Sequence, residues 1–211
     1  MIKKNSLEHS IKVTIKTKKK LIHLESQINN SIDKIYKSIK NDGKIFFCGN
    51  GGSAADAQHL AAELLIRLRP NKNRYPIPAI SLCMDSSTLT ACGNDYSFDQ
   101  IFSRPLEALA NKKDILVVIS TSGNSKNIIE ALKVAKNKKI FTIGLLGRDG
   151  GKAKNFCNIK LTTDNHNGSW YIRLIVDSLS VARIQESHIF LGHFILEKVE
   201  DLLLSKNKKT S

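Results

Sequence analysis

Cys48-Gly49-Asn50-Gly51-Gly52-Ser53-Ala54-Ala55-Asp56-Ala57-Gln58-His59-Leu60-Ala61-Ala62-Glu63 is the stretch from which the rest of this chain is read. Lys44 to Cys48 is a short apolar run and predicts a buried strand. Asn50, Gly51 and Gly52 predict a tight turn, and Ser53 is a suitable N-cap for the helix that follows. Strand, glycine turn and helix N-terminus together let a backbone approach a phosphate and offer it free N–H groups. His59 and Glu63 stand four residues apart, on one helix face. An imidazole beside a carboxylate, close to an anion cradle, suits acid/base or metal chemistry on a phosphorylated substrate. Taken alone, such a turn often only allows close packing, and a His/Glu pair at this spacing is more often a solvated helix face than a site.

A second turn of the same kind shifts that balance. Asp114 to Ile119 is a continuous apolar run of the sort found in central parallel strands. Ser120-Thr121-Ser122-Gly123-Asn124-Ser125 follows it, and Asn127 to Ala135 then predicts an amphipathic helix. Hydroxyls and a glycine between strand and helix again supply anion donors. In open α/β sheets, ligands bind beyond the carboxyl ends of the strands.

The paired signatures CGNGGSAADAQHLAAEL and ISTSGNS resemble the sugar-isomerase (SIS) fold. Leu89 to Tyr96, Arg148 to Lys152 and Ala182 to Ile189 narrow the resemblance to the phosphoheptose isomerases, which interconvert sedoheptulose 7-phosphate and a heptose 7-phosphate. The match runs from about residue 20 to about residue 200. It implies an α/β fold, a three-layer sandwich whose central parallel sheet is flanked by helices. It also implies aldose–ketose isomerisation through an enediol, with D-glycero-D-manno-heptose 7-phosphate as product.

The resemblance further assigns residues. His59, Glu63, Gln185 and His193 match metal-ligand positions, typically for zinc, with Glu63 and His193 also catalytic. Ser120, Thr121, Ser122 and Ser125 match the phosphate site. Asn50, Gly51, Gly52, Ser53, Asn94 and Asp95 match the sugar pocket, which Glu63 and Gln185 also line. Glutamine is a weaker zinc ligand than imidazole or carboxylate, which points to an exchangeable metal. Family members are homotetramers whose sites draw on neighbouring subunits.

The chain departs from the family pattern between Gly151 and Arg183, where it is longer. Asn165 to Arg173 reads as an insertion, and Asn165, Asn167, Gly168 and Ser169 are turn formers. The expectation is an outward loop that leaves the register of the Gln185 helix unchanged.

Length and pattern predict one domain over residues 1–211, with an N-terminal helical region over about 6–40 and a core over about 41–204. Leu21, Leu24, Ile28 and Ile32 form one apolar stripe in that N-terminal region. Further strands are expected near 79–83, 140–146 and 158–161, and a last helix over about 183–204. Four cysteines without metal or redox spacing fit a reduced, cytoplasmic setting. The basic N-terminus lacks the apolar stretch of a signal peptide, and no run approaches the ~20 apolar residues of a membrane span.

The formal charge of +14 raises nucleic-acid binding as another class. The lysines are scattered, with no interleaved aromatics, so no specific nucleic-acid partner is expected. A third class is a non-catalytic SIS-fold protein that binds the replication initiator. The joint presence of His59, Glu63 and His193 argues for the enzyme.

Overall fold

The structure is a computed structural model that describes residues 6–156 and 171–207. Two helices open the chain, α1 (Leu7–Lys20) and α2 (Glu25–Lys40), joined by a short 3-10 turn at Leu21–Leu24. The expected single stripe is thus bent at that turn. Leu21, Ile28, Ile32 and Ile35 still bury on one side.

Five strands form the sheet: β1 (Ile45–Gly49), β2 (Ala79–Ser81), β3 (Ile115–Ser120), β4 (Phe141–Gly147) and β5 (Tyr171–Val176). They pair in the order β2-β1-β3-β4-β5, all parallel. β1, β3 and β4 are almost wholly buried, which is why they read as unbroken apolar runs. The buried Asp114 carboxylate accepts from the Lys44 backbone and ammonium at 2.9 Å each, pinning the starts of β1 and β3 together.

Helices α3 (Gly52–Leu65) and α6 (Lys126–Asn137) lead from β1 to β2 and from β3 to β4. These crossovers run in opposite directions along the sheet. Both being right-handed, they place α3 and α6 on opposite faces. α2, α3 and the last helix, α7 (Val181–Asn207), cover one face, where Ile35, Leu60, Ile195 and Leu196 meet Phe47, Val117, Ile143 and Leu145. α6 covers the other, with α5 (Ser103–Leu109) packed on it, while α4 (Ser86–Asp95) follows β2. The expected three-layer α/β sandwich is therefore present. The strand order reverses direction between β1 and β3, so the loops after these strands diverge and leave a crevice between them.

Two local expectations need correction. Ser53 is not the N-cap of α3: Gly51 holds that position at φ 55°, and Ser53 lies buried inside the first turn. The backbone must turn left-handed there, and glycine does so without steric cost. Tyr171, Ile172 and Arg173 do not belong to an outward loop, because they are the first three residues of β5, paired with Thr142, Ile143 and Gly144. A 3-10 turn at Phe98–Gln100 leads into α5. The strand expected near 158–161 and the turn formers 165–169 lie outside the described residues.

Candidate functional site

The two turns predicted to bind anions are stapled together. Asn50, after β1, and Asn127, in the first turn of α6, exchange reciprocal amide hydrogen bonds of 2.8 Å. Asn127 is 2% exposed, and its Oδ1 also accepts from the Ile128 backbone N–H at 2.9 Å. Asn50 is thereby committed to holding the crevice together. Its partner Asn127 was not singled out as a site residue in the sequence, where it reads as an ordinary helix-start residue.

In the second turn, the buried Ser120 hydroxyl accepts from the Gly123 N–H at 3.0 Å. Ser122 Oγ accepts from Asn124 N–H at 3.2 Å. Ser125 caps α6 with extended backbone and no side-chain capping bond, so its hydroxyl is not spent on the helix. The 148–152 motif buttresses this turn from behind: Asn124 Oδ1 accepts from Lys152 N–H at 2.9 Å, and Gly123 O from Ala153 N–H at 2.8 Å. Thr121 and Ser122 lie in the same turn, which Ser125 closes at the N-terminus of α6.

His59, Glu63 and His193 converge across α3 and α7. His59 Nε2 and His193 Nε2 stand 2.9 Å apart, with the rings edge to face at 82°. Glu63 Oε1 lies 3.4 Å from His59 Nε2, and all three ligand atoms fall within 4.8 Å of one another. Ligands on a tetrahedral zinc with bonds of ~2.0–2.1 Å stand ~3.3 Å apart, and the His59–His193 and His59–Glu63 separations of 2.9 and 3.4 Å lie close to that spacing. Glu63 Oε2 is buried without a hydrogen-bond partner among the described residues, as a carboxylate awaiting a cation would be.

Gln185, on α7, meets α3 at Gly52 and Asp56, about one turn or more before His59. A β-carbon on Gly52 would stand 2.6 Å from both terminal atoms of its amide, so Gly52 makes room for Gln185. The Gln185 Nε2 donates to Asp56 Oδ1 at 3.3 Å. Asp56 is a further residue at the site that the sequence did not flag. Its other oxygen is buried and unpartnered among the described residues. Burial raises its pKa, opposed by the Gln185 hydrogen bond and by His59 and His193.

Asn94 and Asp95 lie exposed at the end of α4, where Asn94 Nδ2 donates to Asp95 Oδ1 at 2.7 Å. No hydrogen bond among the described residues joins them to either turn. His188, between Gln185 and His193 on α7, is fully buried and takes no part in the cluster.

The SIS-domain profile matches residues 11–147. A phosphoheptose isomerase from Campylobacter concisus is 43% identical over 198 residues, covering 94% of this chain and 97% of its own. One from Clostridium acetobutylicum is 42% identical over 207 residues, 96% and 97% of the two chains. The chain belongs to the phosphoheptose isomerases of the SIS-domain family. Two solved phosphoheptose isomerases share its fold. That from Neisseria gonorrhoeae superposes with a TM-score of 0.79 at 38% identity, covering 93% of this chain and all of its own. That from Francisella tularensis gives 0.83 at 33% identity, covering 92% and 96%. Membership of the phosphoheptose isomerases makes this chain an isomerase, and the His59–Glu63–His193 cluster is its candidate metal site.

Proposed function

We propose that this chain interconverts sedoheptulose 7-phosphate and D-glycero-D-manno-heptose 7-phosphate, as a precursor step for lipopolysaccharide or another heptose-containing glycan. The observation that carries the reading is the convergence of His59, Glu63 and His193 from two helices on one point. A non-catalytic binding role gives no reason for two imidazoles and a carboxylate to meet within 4.8 Å. We take residues 41–204 as the catalytic core and 6–40 as its helical extension, within one domain.

Thr121, Ser122 and Ser125, with the α6 N-terminus, hold the phosphate. The hydroxyl of Ser120 keeps that turn in shape and shares its edge. Asn50, Gly51, Gly52, Ser53, Asn94 and Asp95 bound the sugar. Glu63 takes the proton from one carbon and returns it to its neighbour, passing through the enediol. His193 exchanges a proton with the sugar oxygens, so that charge does not build up on them. His59, Glu63, Gln185 and His193 would hold a divalent cation, which we take to be zinc. Such an ion supplies charge stabilisation for an enediolate oxygen.

A homotetramer with sites at subunit interfaces fits the surface. Leu7, Ile11 and Ile15 are exposed on α1, which packs on α7, where Phe190 and Phe194 flank His193. A second copy would cover this apolar face. No described helix is long and apolar enough to cross a membrane, and Cys48, Cys83 and Cys92 are free thiols. We place the enzyme in the reducing cytoplasm on that basis.

The deciding experiment is turnover of sedoheptulose 7-phosphate by the purified protein, with and without chelator, in deuterated water. Product formation with solvent deuterium entering at C1 or C2, lost with the metal, is expected. A protein that binds the sugar phosphate without exchanging that proton would be a binding module instead.

A further inference from the structure

Between Arg69 and Arg74 the chain passes along the C-terminal end of α3, then turns back to enter β2. The last carbonyls of a helix have no partner within it, and a cation placed there also meets the negative end of the helix dipole. Arg74 fills this role. Its Nη2 donates to the Glu63 backbone carbonyl at 2.6 Å and its Nη1 to that of Leu64 at 2.8 Å. The same guanidinium donates from Nε to Glu200 Oε1 at 2.8 Å.

Glu200 lies on α7, seven residues after His193 and therefore on nearly the same face. Its side chain is 2% exposed and that of Arg74 5%. The second Glu200 oxygen is taken by Arg69 Nε at 2.6 Å. Arg69 also reaches the Glu197 carbonyl at 3.1 Å and Asp201 at 2.7 Å, where Lys72 joins at 2.8 Å. The carboxylate of Glu200 thus joins two guanidiniums in a nearly dry setting, and each charge has its partners. Removing one member of such a buried group is far more damaging than an exposed pair would suggest.

From this geometry we infer that Arg74 and Glu200 are positioning residues, fixing the turn of α3 that carries Glu63 against the helix that carries His193. Arg74 grips the backbone of Glu63 itself. Glu200 grips the same guanidinium from the helix of Gln185 and His193. The pair thereby sets the separation of the Glu63 and His193 side chains, although neither Arg74 nor Glu200 belongs to the cluster. Arginine is required because its planar fork serves two carbonyls and a carboxylate together, and lysine offers one compact charge. The inference deepens the proposed metal and proton-transfer roles and rests on that reading for its catalytic consequence.

The test compares Arg74→Lys and Glu200→Gln with the wild type, well below each melting transition. Three quantities are read: zinc affinity by chelator competition, kcat and KM for sedoheptulose 7-phosphate, and amide exchange at residues 63–66. The expected result is ~10-fold or greater loss of zinc affinity, the scale for outer residues that orient ligands. kcat should fall with KM nearly unchanged, and exchange at 63–66 should quicken. A lower melting temperature with zinc affinity, kcat and exchange all within about twofold of wild type would overturn the inference. Should both variants fail to fold, exchange in the wild type decides. Residues 63–66 must then open together with residues 196–200, and independent fraying of the α3 end would overturn it. A wild type that binds zinc but does not turn over the sugar refutes the proposed reaction, leaving the positioning role to be judged by affinity and exchange.

Discussion

Gly192 on α7 lies against Leu60 on α3 so closely that a β-carbon there would stand 2.7 Å from both Leu60 methyls. Each residue is the immediate neighbour of a cluster histidine, His193 and His59. The contact therefore sets how near the two imidazoles come. Gly192→Ala gains ~1 kcal/mol of helix propensity, but overpacking the buried Leu60 costs ~1–3 kcal/mol. The expected outcome is a modest net loss of stability in denaturant melts together with weaker zinc binding. Unchanged zinc affinity would show that Leu60 repacks without moving α7.

Glu63→Gln keeps size and hydrogen bonding but removes the base. His193→Asn removes the ring that exchanges protons with the oxygens. Each should lower kcat by at least ~100-fold, the scale for one acid/base group. Rates near wild type in steady-state turnover of sedoheptulose 7-phosphate would remove the residue from the mechanism.

Within the phosphate turn, the four hydroxyls should not behave alike. Thr121→Val, Ser122→Ala and Ser125→Ala should raise KM for the phosphorylated sugar by roughly 10-fold, about one charge-assisted hydrogen bond each. The melting temperatures of Thr121→Val and Ser125→Ala should hardly move, and that of Ser122→Ala only slightly, because its bond to the Asn124 N–H is exposed to water. Ser120→Ala should also lower stability, by about 1 kcal/mol, because its hydroxyl accepts from the Gly123 N–H inside the turn. Thermal melts alongside KM measurements separate the two kinds of effect.

Burial pushes the His188 pKa down to about 4, against a weaker upward pull from the Leu146 backbone. Below its ordinary value of ~6.5 the unfolded chain takes up a proton that the folded chain refuses. The contribution of His188 to stability is therefore intact above pH ~6.5 and lost as pH falls towards 4, by about 1.4 kcal/mol per pH unit once the unfolded chain is charged. Asp56, with its raised pKa, acts with the opposite sign, so the measurement is a difference between two proteins. Chemical denaturation at pH 7 and pH 5 should show a smaller loss in His188→Leu than in the wild type. Equal losses would place the acid sensitivity elsewhere.

Much of the fold was legible because this sheet is buried on both faces. Strands such as Ile115–Ser120 read as apolar runs, and the turns after β1 and β3 carry their own glycines and hydroxyls. The metal cluster was legible through the spacing of His59 and Glu63 and the matching position of His193. The cap of α3 was misplaced because Ser53 has the right chemistry, whereas the backbone required a left-handed residue two positions earlier, at Gly51. Tyr171–Arg173 were misread because nearby turn formers mask an edge strand that only its β4 partner defines. Asn127, Asp56, Arg74 and Glu200 escaped notice for a shared reason. Their partners are 77, 129 and 126 residues away, and no local periodicity encodes such pairings.

The packing of α7 on α2 and α3 also bears on the order in which the molecule is made. Strands β1 and β3 pair only after some seventy intervening residues exist, and α7 comes last in the chain. A ribosome that has released everything up to β4 has built most of the sheet together with α2 and α3, but not α7, which completes the cover of that face. Phe47, Val117, Ile143 and Leu145 then face water on the side α7 will occupy. Long-range closure of this kind is slow and leaves a sticky intermediate. Synthesis of this protein should therefore depend on chaperones that shield one sheet face, and truncations within α7 should partition into inclusion bodies instead of yielding a smaller inactive enzyme.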